Sequence, residues 1–268
     1  MRLSSCLRLG AAALAWIGGA LVVARATPAA GVTTGMTLIP TGTYAPLVRS
    51  QDETAEVAVP SFWLDAVPVT NAEFLAFVQA NPKWRRSAVS PLFADRGYLG
   101  DWAGDLELGP LAPPAAPVVR VSWFAARAYA QSMGKRLPTT AEWERAAAAG
   151  FAGPAGSTEP GFQSALLAWV TRPTPQPLPN VGSGRPNFFG VRDLHGLVWE
   201  WVADFNTAMV TGESRGDTGL ERNLFCGAGA AGLRDPSDFP AFMRIGFRSS
   251  LRASYAVPNL GFRCARSP

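Results

Sequence analysis

The 268-residue sequence predicts an α+β fold with few regular elements and many packed loops, on three observations. Glycine (27) and proline (23) make up nearly a fifth of the chain, a supply of turns well above the ordinary. Nine tryptophans and 48% hydrophobic residues, against 16% charged, are the reverse of a disordered composition, so the loops must be packed. Short β-type runs alternate with helices that carry their own capping residues, and no linker divides them. After the N-terminal segment about 240 residues remain, enough for one large core.

Met1 to Ala26 has Arg2 and Arg8, an apolar stretch from Leu9 to Ala24, and Ala24-Arg25-Ala26 at its end. This is the pattern of a secretory signal peptide cut after Ala26, and its apolar stretch falls short of the ~20 residues that span a bilayer. The expectation is an exported, periplasmic or secreted protein with no membrane span after cleavage, a signal peptide at 1–26 and one domain at 27–268. The segment's three arginines account for the basic excess, leaving 21 basic against 20 acidic residues. Such balance offers no basic patch, so no nucleic-acid partner is expected.

Met36 to Tyr44 reads as a short strand and turn, and Val57-Ala58-Val59 leads through Pro60 into a strand at Phe62-Trp63-Leu64. Val69 to Val78 is helical, with Thr70 and Glu73 spaced as a capping box and Phe74, Phe77 and Val78 on one face. Lys83 to Pro117 is irregular; a loop of this length either carries recognition or covers the core. Pro117 to Ser122 reads as a strand whose end caps a helix over Trp123–Met133, with Gly134 beyond its C-terminus. Thr139 and Glu142 form the cap of a third helix, whose buried stripe is Trp143, Ala146 and Ala147 and whose acids Glu142 and Glu144 suit the N-terminal dipole.

Phe189 to Asp204 concentrates two tryptophans, the lone histidine His195 and several acids in sixteen residues. One reading is a turn at Asp193–Gly196 before a core strand through Val198, Trp199, Trp201 and Val202. The other is a calcium loop. Ca2+ takes six to eight oxygens, and Asp193 and Glu200 offer carboxylates while Gly196 and Val198 offer carbonyls around a flexible glycine.

Arg136-Leu137-Pro138-Thr139 with Ala141-Glu142-Trp143-Glu144, His195-Gly196-Leu197-Val198-Trp199-Glu200-Trp201, and Asn259-Leu260-Gly261-Phe262-Arg263-Cys264 occur in this order. Together with 36–44 and 68–78 they resemble the successive signatures of the formylglycine-generating enzyme (sulfatase-modifying factor) family. The resemblance covers nearly all of the mature chain and implies a large C-type-lectin-like variant fold. It implies one structural Ca2+ on Asp193, Gly196, Val198 and Glu200, although Leu197 stands where the family has asparagine; ligands for a second ion near 155–175 are not recognisable. It also places the family's two Cu(I)-binding cysteines at Arg244 and Ser249. Neither is the soft thiolate that Cu(I) requires. Family relatives that are iron-dependent sulfoxide synthases use a histidine cluster, which a single histidine cannot supply, so neither Cu(I) nor iron finds support. The chain resembles more closely two exported groups of the family, the relatives that accompany copper nitrite reductase and those that mature pyoverdine-type siderophores in the periplasm, and the 225–244 stretch suggests the first.

Cys226 and Cys264 are the cysteines left after the signal segment, and in an oxidising compartment they form a structural disulfide or, alternatively, a reduced redox or Cu(I) pair. Two functions therefore stand side by side. One is an accessory or maturation factor that binds a periplasmic protein or small molecule. The other is an oxidoreductase with altered chemistry around Arg244, Ser249, Arg252 and Cys226.

Overall fold

The computed structural model describes residues 35–46, 56–205 and 239–268. The expected signal peptide, Cys226 and most of the 206–240 loop lie outside the described residues.

Strands β1 (Met36–Ile39), β2 (Gly42–Tyr44), β3 (Val57–Val59) and β4 (Phe62–Asp65) follow the expected order. β1 pairs antiparallel with β4, which pairs on its other edge with the C-terminal β7 (Ala265–Arg266), so the last residues of the chain close the first sheet. β2 and β3 form a separate antiparallel pair, and β5 (Trp199–Glu200) pairs in parallel with β6 (Leu260–Gly261).

Helix α1 (Asn71–Ala80) begins at a complete Thr70–Glu73 capping box, and α3 (Thr140–Ala147) at a complete Thr139–Glu142 box. Between them α2 (Trp123–Ser132) starts from Ser122, whose hydroxyl accepts the Ala125 N–H, and Gly134 follows its C-terminus at φ 65°. Each cap satisfies N–H groups that the first helical turn leaves open. Asp204 adds a further acceptor for Thr140 N–H, at 2.7 Å, and so ties the start of α3 to the end of the tryptophan-rich segment.

Residues 117–122 are not the strand the sequence predicts. Val118 N–H bonds to Val69, but Arg120 N–H turns to Val257, and Arg120 itself adopts φ 55°. A left-handed residue in mid-segment breaks the alternation that a strand needs. The sequence also gave no sign of α4 (Phe162–Thr171) or α5 (Phe239–Ser249).

The core is aromatic. Phe74 lies 5.8 Å from Tyr129 and 6.1 Å from Phe262, joining α1, α2 and the C-terminal segment. The 83–117 segment is irregular as expected, yet pinned: Tyr98 donates to Trp84 carbonyl, Arg86 to Trp102 carbonyl, and Trp102 Nε1 to the buried Asn71.

Candidate functional site

Glu144 lies on the buried face of α3 beside Trp143. Arg244 and Arg248, four residues apart on α5, share one helical face. Both turn onto the glutamate: Arg244 Nε and Nη2 bind its two oxygens at 3.1 and 2.9 Å, and Arg248 Nη1 binds Oε1 at 2.6 Å. Burial opposes ionisation of Glu144, but the two guanidiniums overcome it and hold its carboxyl down at about 2. The arginines also sit over Trp143, with Arg248 4.7 Å from the ring centroid.

Behind Trp143 lies a second ion pair. Arg263, fully buried, binds both oxygens of Glu200, and Trp143 Nε1 donates to the same carboxylate at 2.7 Å. His195 meets Trp143 edge-on at 5.9 Å, and its Nε2 lies 2.9 Å from the Ala147 carbonyl. Burial, with Arg244 adding to it, pulls its imidazole down to about 4, so the ring is neutral near pH 7.

Of these groups Glu144, Arg244 and His195 line a cleft of about 740 Å3, together with Tyr44, Phe162 and Gln163. Burial, reinforced by Glu144, raises the Tyr44 phenol and keeps it protonated. An ionised ion-paired glutamate, a neutral histidine and a protonated tyrosine suit binding. Among these described groups there is no activated nucleophile, and none is poised as an acid or base near neutrality.

The pocket candidates from sequence are not gathered together. Arg244 reaches the cleft, but Ser249 Oγ donates back to Ile245 carbonyl at 2.8 Å, and Arg252 is exposed with its guanidinium 5.9 Å from the Tyr255 ring. Cys226 lies outside the described residues. Cys264 is a free, buried thiol; burial, then Asp65, raises its pKa well above the usual value and disfavours the thiolate. Glu144, Arg248 and Tyr44 were missed, and the signal available was the acid directly after Trp143 together with the i, i+4 arginine pair.

The donors proposed for Ca2+ do not fit the ion. Both Glu200 oxygens are held by Arg263 and Trp143, the Asp193 oxygens accept N–H groups from Gly182 and Gly184, and the Gly196 carbonyl accepts from Arg172 Nη2. Three of the four named groups are thus committed to protein donors, whereas Ca2+ needs six to eight open oxygens.

Residues 23–268 match the family described as sulfatase-modifying factor enzyme 1-like domain. The chain belongs to this family. It is 32% identical to the formylglycine-generating enzyme of Streptomyces coelicolor over 78% of this chain and 79% of that protein. It is 30% identical to the Bos taurus protein named inactive C-alpha-formylglycine-generating enzyme 2, over 88% of this chain and 89% of that one. Among solved structures it is similar to PvdO from Pseudomonas aeruginosa, with 23% identity, a TM-score of 0.46, and 87% of this chain and 94% of that one covered. The loop-rich α+β architecture is the one this family membership implies.

Proposed function

We propose that this family member is an exported accessory or maturation factor, which binds a periplasmic protein or small molecule and does not oxidise sulfatase cysteines. The observation that carries the reading is the pairing of Arg244 with Glu144: the position at which the family resemblance expects a copper thiolate is a buried guanidinium bound through two nitrogens to a carboxylate. Ser249, at the other expected thiolate, is bonded into its own helix. A Cu(I) centre needs soft ligands, and the protonated, enclosed Cys264 is a poor one. The cleft beside Glu144 and His195 is the binding surface in this reading. The relative named inactive, similar over most of both chains, agrees with a family member that does not perform the oxidation.

The test incubates the mature protein with Cu(I), oxygen and a cysteine-containing sulfatase peptide, and follows the peptide by mass spectrometry. The peptide is expected to remain a thiol, with no stoichiometric copper retained by elemental analysis. Catalytic appearance of the aldehyde would overturn the proposal and direct attention to Cys226 and Cys264.

A further inference from the structure

The 83–93 segment and α2 enclose a second groove, of about 460 Å3, on residues that the cleft does not use. A row of three aromatic rings lines it, Trp84 to Phe93 at 6.3 Å and Phe93 to Phe124 at 5.3 Å. Two cations, Lys83 and Arg127, line the groove beside these rings. Lys83 Nζ lies 6.0 Å from the Trp84 ring, and Arg127 Cζ lies 5.2 Å from the Trp123 ring. No acidic side chain lines the groove, and neither cation has an ion-pair partner among the described residues.

We propose that this groove binds a small amphiphilic carboxylate, an aromatic or acyl group with an anionic end. The apolar length of such a ligand would lie along Trp84, Phe93 and Phe124, and Lys83 or Arg127 would take the carboxylate. The volume is that of a small-molecule site. The charge is one-sided. Phe93 is 45% exposed, apolar area that a ligand would remove from water. A neutral ligand would leave both cations without a counter-charge, so the anionic end is what the groove selects. The site is independent of the Glu144 cleft, and its failure would leave the proposed function untouched.

Calorimetric titration of the full chain with 4-phenylbutyrate and with uncharged 4-phenylbutanol tests this. Phenylbutyrate is expected to bind saturably at one site, with the alcohol at least about tenfold weaker and with affinity falling as salt rises. A surface variant, Lys83→Gln with Arg127→Gln, should bind about tenfold more weakly at an unchanged unfolding temperature. Ala128→Trp, which fills the groove from α2, should abolish binding. No saturable heat with phenylbutyrate, equal binding of the alcohol, or full affinity in the folded charge variant would overturn the proposal.

Discussion

His195 shows how little a residue's type says about its role. The sequence offered a lone histidine beside a possible metal loop; the structure encloses it among Trp143, Phe162 and Trp169, where it cannot readily take a proton. Its folded pKa of about 4 lies below the ordinary 6.5, so the folded state binds fewer protons than the unfolded chain between these values. The stability it contributes is fully present above about 6.5 and is lost as pH falls through about 4, a change of ~3 kcal/mol. Urea unfolding at a series of pH values should show this slope, and His195→Gln should flatten it whatever its effect on stability at pH 7. An unchanged slope would refute the assignment. Glu144 was harder to read. Its place near the start of α3 suggested a dipole-complementing acid, because its true partners lie about a hundred residues away on a helix the sequence did not reveal.

Elements with local chemical signatures were legible, and those without were not. The capping boxes of α1 and α3 are written in adjacent residues, so both helices were placed from sequence. Helix α4 has no side-chain cap and follows Gly161 at φ 80°, while α5 carries Pro240 and Gly246 within it, and neither announces itself. The 193–200 loop was legible in position but not in chemistry. Its oxygens look like calcium ligands until Arg263, Trp143 and Arg172 are seen to occupy them. Dialysis against EDTA followed by added Ca2+ should therefore move the thermal midpoint by less than about 1 °C. An ion bound only to the folded state, at a hundred times its dissociation constant, would raise it by ~5–10 °C. A rise of that size would restore the calcium loop.

The chain closes on itself through Arg263. It lies five residues before Pro268, yet its guanidinium reaches Glu200 on β5, the Asp65 carbonyl on β4 and the Arg192 carbonyl before the 193–200 loop. Through Trp143, which shares Glu200, the same network meets the Glu144 ion pairs of the cleft. Fold and site are therefore coupled. This closure was only partly visible in sequence: the family motifs marked Glu200 and Arg263 individually, but no spacing rule joins residues 63 positions apart. Arg263→Met would leave the Glu200 charge buried and uncompensated, a loss of ~3–5 kcal/mol, which is a large share of a marginal total of ~5–15 kcal/mol. Replacing both partners removes the stranded charge, so Glu200→Met with Arg263→Met should be more stable than Arg263→Met alone, as measured by urea unfolding followed through tryptophan fluorescence. If the single variant loses less than about 1 kcal/mol, or the double variant recovers nothing, the ion pair is not what holds the C-terminal segment onto β5.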